Sequence, residues 1–146
     1  MTKQRTRTIE KYFFDYLSIE NVPVKGSEHG DIIDMDHREL EDMAIKAIIR
    51  ERAPLRGHEI KLFRKLLGYS LEKFASEIGL TSGSIFKWER DLEERLHPIN
   101  EVAVRAYLAE KFNVDLPGKY SQLIGKKETS PIVIRVEKSK KLLRIR

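Results

Sequence analysis

The segment from Leu62 to Glu94 constrains the fold more than any other, because helix-favouring runs alternate there with helix boundaries. Ser70 is placed to cap a short helix, since a serine hydroxyl accepts a hydrogen bond from a free first-turn amide. Gly79 stands where a helix ends in the left-handed conformation, which glycine adopts at little cost. Thr81 or Ser82 would then cap a second helix. The segment is therefore predicted to form two short helices joined by a tight turn.

The apolar residues of this segment indicate which helix faces point inward. Phe74, Ala75 and Ile78 share one face of the first helix. Ile85 and Trp88 share one face of the second and are expected in the core. Two such helices form the helix-turn-helix pattern, in which the second helix enters the major groove of DNA.

These residues resemble the phage-repressor (XRE) helix-turn-helix family. The residues that carry the resemblance are Leu66, Ser70, Phe74, Ala75, Ile78, Gly79, Ile85, Trp88 and Glu89. The chain departs from the family pattern at Leu71, where glutamine is frequent, and at Asp91, where glycine is usual. The resemblance implies a mainly α fold, with a five-helix XRE domain that binds operator DNA.

Three segments are predicted along the chain. Residues 1–53 are expected to form a β-rich segment plus a helix, 54–116 the XRE domain, and 117–146 a basic tail or β-arm. Within the first segment, 9–24 favours one or two strands with a turn at Glu20-Asn21, and 25–36 favours a loop. In the last, the alternation of IVIRVE over 132–137 predicts a strand, with LLRIR as a possible hairpin partner. This strand is the candidate for dimerisation, because a lone strand edge needs pairing.

Three further helices are predicted. One begins near Asp36, which can cap it, and ends before Pro54, because the residue before proline avoids the helical region. A second runs over 56–67. The third begins at Pro98 and is apolar nearly all round at 102–107, so it is expected to lie largely buried. Residues 113–131 read as a linker.

Composition excludes several classes of protein. The 146 residues contain no cysteine, so disulfides and thiolate metal sites are excluded and a cytoplasmic location is expected. No apolar run is long enough for a membrane span, and the polar start (MTKQRTRTIEK) predicts no signal peptide. The net charge of +5 is unevenly placed: 26–51 holds eight acids against three bases, and 119–146 nine bases against two acids. Basic ends favour contact with a polyanion, although charge runs are also common on solvated faces.

A wider resemblance covers about residues 10–115, and it is strongest over 47–97. The words AIIR at 47–50, LRGHEI at 55–60 and FRKLLG at 63–68 are similar to antitoxins of the MqsA type. Those proteins join a small zinc-binding domain to an XRE domain, and their zinc ligands include paired cysteines that this chain lacks. The resemblance implies an autoregulating antitoxin with a toxin partner, but no zinc, other metal or cofactor is expected.

Candidate DNA contacts lie on the second helix of the pattern and on flanking basic positions. Serine side chains and lysine can bond to base edges or phosphates, and clustered cations neutralise the phosphate backbone. The candidates are Ser82, Gly83, Ser84, Phe86, Lys87, Arg90, Lys61, Arg64, Lys65, Lys73 and Thr81. Glu89 is expected to bond within the bundle.

Two of these candidates have an alternative interpretation. Phe86 would either touch a thymine methyl group or pack in the core beside Ile85. Gly83 costs about 1 kcal/mol relative to alanine in a helix interior, so it either permits close approach of DNA or has no function.

The four histidines offer a competing function. His29 and His37 share a segment with several aspartates, which would suit a weak metal site in a hydrolase. Surface histidines are the preferred interpretation, because no ligand pair has zinc-site spacing. No catalytic motif is found, so we expect a non-enzyme without catalytic residues.

The sequence thus predicts a DNA-binding repressor that acts as a homodimer on a palindromic operator. Its most specific form is the antitoxin of a type II toxin–antitoxin pair. The alternatives are an XRE regulator from a phage or mobile element without a toxin, and a protein-interaction module with a degenerate DNA face.

Overall fold

The computed structural model describes residues 4–116 and 118–137. Within them the chain is mixed α/β, with six helices and four strands. It divides into two compact units. The first unit comprises residues 1–47 and 130–146, and the second comprises residues 48–129. None of the helices in the described part is long and apolar enough to cross a membrane.

The first unit is built on a small sheet whose central strand is β2, Leu17–Lys25. Strand β1, Arg5–Ile9, pairs antiparallel with β2, and the two-residue strand β3, Ile32–Ile33, pairs antiparallel near its end. Strand β4, Ile132–Arg135, pairs parallel with the start of β2. The sheet extends further along the chain than predicted, because β1 lies before residue 9 and β3 within the expected loop 25–36.

The turn predicted at Glu20-Asn21 is wrong. Strand β2 continues through both residues, and the pairing with β1 shifts there: Arg7 lies opposite Val22, whereas Ile9 lies opposite Ile19. Two residues of β2 therefore face one residue of β1, which is a β-bulge. Asn21 takes a left-handed φ of 60° at this point, a conformation that asparagine tolerates. The polar pair marks a bulge rather than a chain reversal.

Helix α1, His37–Arg50, begins where the sequence predicts. The carboxylate of Asp36 accepts a hydrogen bond from the amide of Arg38 at 2.9 Å. In the first unit, Leu40 and Met43 of this helix belong to an apolar cluster with Ile19 and Val22 of β2.

The C-terminal segment is not a separate arm where the structure describes it. The predicted strand exists as β4, and Ile132 and Val136 are buried as the alternation requires. Because β4 pairs with β2 of its own chain, it does not depend on a second chain for a partner. The two compact units divide at 47/48 and 129/130. The LLRIR segment lies outside the described residues.

The second unit contains the remaining helices. They are α2, Gly57–Leu67; α3, Leu71–Ile78; α4, Ser82–Arg90; α5, Pro98–Lys111; and α6, Tyr120–Leu123. Four of them lie within the predicted five-helix segment 54–116, and the short α6 falls in the predicted linker. The completely buried side chains of this core include Leu55, Ile60, Phe63, Phe74, Ile85, Val104 and Leu108.

Helix α5 differs from the sequence prediction in how it is buried. Ala103 and Ala106 are exposed, although the apolar run 102–107 predicts a largely buried helix. The buried face instead carries two charged residues, Glu101 and Arg105, together with Val104 and Leu108. Internal partners for these two charges explain the difference, because a paired charge can be buried and a small exposed alanine costs little.

Candidate nucleic-acid interface

Helices α3 and α4 are joined by a turn whose boundaries follow from three side chains. The Ser70 hydroxyl accepts a hydrogen bond from the amide of Lys73 at 3.1 Å and so caps α3. Gly79 ends α3 at φ 88°, in the left-handed region. Thr81, rather than Ser82, caps α4 by accepting from the amide of Ser84 at 3.3 Å. The two short helices and the tight turn between them are confirmed.

An ion pair connects α2 to the end of α4. The guanidinium of Arg64 donates to both carboxylate oxygens of Glu89, at 2.6 and 2.8 Å, and to the carbonyl of Tyr69 at 2.9 Å. The hydrogen bond to Glu89 raises the pKa of Arg64 above its ordinary value. Both side chains are largely shielded from solvent. Arg64, a predicted phosphate contact, is therefore placed to orient α4, and Glu89 bonds within the bundle as predicted.

The start of α2 lies directly against the end of α4. A Cβ on Gly57 would lie only 2.0 Å from the carbonyl oxygen of Trp88, so no larger residue fits without movement. The amide of Gly57 donates to the carbonyl of Glu94 at 3.3 Å, and that of His58 donates to Leu92 at 3.1 Å. The end of α4 is thus held against the start of α2, while Thr81 caps its start.

Trp88 is less buried than predicted. Its side chain is half-buried and lines a cleft of about 200 Å³ together with Lys87, Leu96 and His97. Ile85 alone on α4 is buried completely. The close approach of the α2 backbone to the Trp88 carbonyl involves the main chain and does not require the indole to enter the core.

The outer face of α4 carries a stripe of four exposed residues, Gly83, Phe86, Lys87 and Arg90. Their spacing of i, i+3, i+4 and i+7 places them on one side of the helix. We call this set the α4 stripe. Arg90 forms an ion pair of 3.3 Å with the adjacent Asp91. Both side chains are exposed, so this pair contributes little to stability.

The remaining predicted contacts on α4 belong more to the cap than to the stripe. Thr81 is exposed, whereas Ser82 and Ser84 are half-buried. The hydroxyl of Ser84 lies 3.1 Å from that of Thr81. Of the two interpretations of Phe86, the structure excludes core packing, because the side chain is 56% exposed while Ile85 is fully buried.

The other predicted cations, on α2 and α3, differ in exposure. Lys65 and Lys73 are exposed and Lys61 is half-buried. The Lys73 ammonium lies 4.5 Å from the centre of the Tyr69 ring, a cation–π contact. Within the described residues no carboxylate pairs with Lys61, Lys65 or Lys87. These three ammonium groups are available to an anionic partner.

Sequence reasoning missed a buried ionic network in the second unit. Glu101 accepts two hydrogen bonds from Arg95, both at 2.9 Å, and further ones from the amides of Leu55 and Gly125. Burial raises the pKa of Glu101, but these hydrogen bonds outweigh it and leave the pKa below its ordinary value. The i, i+4 spacing of Glu101 and Arg105 in an otherwise apolar helix was the available signal.

Arg105 is the centre of this network and is completely buried. Its guanidinium donates to the carbonyls of Ile48, Ile49, Ala53 and Leu123. Burial lowers the pKa of Arg105, and the nearby carboxylate of Glu101 opposes that effect. The arginine therefore satisfies backbone oxygens at the end of α1 and in the segment after α5.

The histidine segment forms no metal centre in the part of the chain that the structure describes, where no three histidine or acidic side chains are arranged to hold an ion. His37 Nδ1 lies 2.7 Å from the Tyr12 hydroxyl. Burial, with a smaller contribution from Glu41, raises the pKa of Tyr12.

Comparison of the chain with models of known protein families, with curated proteins and with solved structures finds no match.

Proposed function

We propose that this chain is a sequence-specific DNA-binding repressor of transcription, with α3 and α4 as its helix-turn-helix and α4 as the helix that enters the major groove. The observation that carries the proposal is the α4 stripe: an exposed helix face with two cations, on a helix that Thr81 caps at its start and α2 holds at its end. Lys61, Lys65 and Lys73 supply further positive charge on the neighbouring helices α2 and α3.

The charge of the second unit supports the same proposal. Lys87 on the candidate face, like Lys61 and Lys65, has no carboxylate partner among the described residues, and such cations suit phosphate. Negative charge near it, such as Glu89, is already neutralised by Arg64. A homodimer on a palindromic operator would provide two such helices, and autoregulation of its own operon would follow from binding upstream DNA.

The narrower role that we propose is antitoxin of a type II toxin–antitoxin pair, in the cytoplasm. Its support is the resemblance to MqsA-type antitoxins, together with the presence of a sheet-based unit in addition to the helical one. Co-expression with the neighbouring reading frame, followed by co-purification, tests this role separately from DNA binding.

The test of DNA binding is a salt titration with DNA from upstream of the chain's own reading frame, followed by fluorescence anisotropy. We expect tight binding that weakens steeply with salt, and competition by the same sequence in preference to random DNA. Lys87→Ala should weaken binding, and Lys25→Ala, which removes an exposed cation from β2, serves as the matched control. Absence of salt-sensitive binding would refute the repressor and favour a protein-interaction module.

A further inference from the structure

The α4 stripe contains an exposed phenylalanine that the fold does not need. Phe86 is 56% exposed, and the core position of this helix turn is filled by Ile85, which is completely buried. An exposed aromatic ring on a short helix leaves a large apolar area in water. On the same face Lys87 and Arg90 add positive charge. A partner that covers this face must therefore be anionic and must also offer an apolar group to the ring.

Gly83, one turn before Phe86, is also unexplained by the fold. A Cβ there would meet only the hydroxyl of Thr81, at 3.9 Å, so alanine would fit in ordinary contact. Alanine is also the better helix former. Phe86 lies one turn further along the same face, and none of its ring atoms lies within 4 Å of that Cβ. The missing side chain leaves the backbone open to close approach beside the ring.

The major groove of DNA offers one apolar group that matches this arrangement. It is the C5-methyl group of thymine, and aromatic and aliphatic side chains recognise it by apolar contact. The phosphates on either side of the groove match the cations of the stripe. We infer that Phe86 determines specificity for one thymine in each half-site by contact with its methyl group, and that Gly83 allows α4 to reach the required depth. This inference rests on the proposed DNA-binding function.

The experiment starts with the full chain and a pool of randomised double-stranded DNA, from which bound sequences are selected. Each thymine of the selected site is then replaced singly by deoxyuridine, which removes only the methyl group. We expect one position per half-site at which this replacement weakens binding about threefold to tenfold, as expected for the loss of one buried methyl group. In Phe86→Ala the same replacement should have no effect, which is the signature of direct coupling.

Two further variants distinguish a loss of thymine recognition from a loss of the folded structure. Tyr120→Ala removes an aromatic side chain of nearly equal exposure, 54%, from α6 and should keep the full sensitivity to deoxyuridine. Gly83→Ala should weaken binding to the selected site while its circular dichroism stays that of the parent chain.

The outcomes of the experiment distinguish failure of the thymine contact from failure of the proposed DNA-binding function. If the deoxyuridine penalty persists in Phe86→Ala, or if no thymine position is sensitive, the inference is wrong although the repressor stands. If the chain selects no sequence at all, the proposed function fails and the inference fails with it.

Discussion

Helices α4 and α5 both break the usual rule of burial, and they break it in opposite directions. On α5 the completely buried residues include Glu101 and Arg105. On α4 an exposed face includes Phe86. Charged groups are normally outside a protein and large apolar groups are normally inside.

The difference between the two helices lies in whether the fold supplies a reason. The charges on α5 have internal partners, and within the described residues no buried polar side-chain atom lacks a hydrogen bond. The exposed ring on α4 has no such account, and neither has Gly83 beside it. Buried charges that have partners within the molecule contribute to stability. An exposed aromatic side chain without such a partner indicates a binding partner outside the molecule.

The largest expected effect is on the α5 side of this comparison. Arg105→Met leaves Glu101 with one fewer neighbouring cation and removes a donor from four carbonyl groups, of which those of Ile48 and Ile49 keep a backbone donor. Breaking a buried ionic network in this way should lower the free energy of unfolding by about 3–5 kcal/mol. Urea unfolding followed by the fluorescence of Trp88, the single tryptophan, measures it.

The matched control for that variant is Arg90→Met on the exposed stripe. It should change the free energy of unfolding by no more than about 0.5 kcal/mol, as is usual at the surface. Equal losses in the free energy of unfolding would show that the buried Arg105 contributes no more to stability than the exposed Arg90.

A second prediction concerns the glycine that completes the buried network. A Cβ on Gly125 would lie 2.8 Å from a nitrogen of Arg105 and 3.0 Å from the carbonyl oxygen of Ala53. Gly125→Ala should therefore destabilise the fold by about 1–3 kcal/mol through overpacking. Gly118→Ala is the control, because a Cβ at Gly118 has nothing within 4 Å. Thermal unfolding of both variants measures the difference in stability. An unchanged stability of Gly125→Ala would contradict the close packing around Gly125.

A third prediction separates cations that orient α4 from cations that touch a partner. Arg64→Lys keeps the charge but loses the two-pronged hydrogen bond to Glu89, so stability should fall by about 1–2 kcal/mol. The dependence of DNA affinity on salt should stay the same. Lys61→Ala should leave stability nearly unchanged and reduce the slope of DNA affinity against salt by about one. Arg64→Gln tests the charge itself: a salt slope reduced by about one in that variant would restore Arg64 as a phosphate contact.

A fourth prediction follows from the lowered pKa of Glu101. Because the folded state holds this pKa below its ordinary value of 4.5, the folded chain binds fewer protons than the unfolded chain in that range. The stabilisation is present above about pH 4.5 and is lost as the pH falls through the folded pKa. Glu101→Gln should flatten the fall in stability on acidification, measured by urea unfolding between pH 3 and 7. Glu110→Gln, at an exposed position of α5, should leave that slope unchanged.

The sequence predicts local boundaries of the second unit well because each depends on one residue. Ser70, Gly79 and Thr81 act at single helix ends, through hydrogen bonds within three residues and through backbone conformation. Pro98 likewise begins α5. Such signals do not depend on what the rest of the chain does.

Features that depend on distant parts of the chain were not predictable in the same way. The pairing of β4 with β2 joins residues more than a hundred positions apart, and the bulge at Asn21 depends on its register with β1. Arg64 was assigned to DNA because its partner Glu89 lies 25 residues away. In the candidate site, the sequence identified helix α4 correctly. Only the structure shows that Ser84 belongs to the helix cap, whereas Gly83 and Phe86 lie on the exposed stripe.

The smallest expected effect tests the α4 side of the comparison directly. Gly83→Ala should raise the free energy of unfolding by up to about 1 kcal/mol, because alanine favours the helix and a Cβ meets nothing closer than 3.9 Å. The same substitution should weaken DNA binding, so stability and affinity would change in opposite directions. Urea unfolding and anisotropy on one preparation measure both. A loss of stability would show that Gly83 serves the fold, and the contrast between α4 and α5 would then disappear.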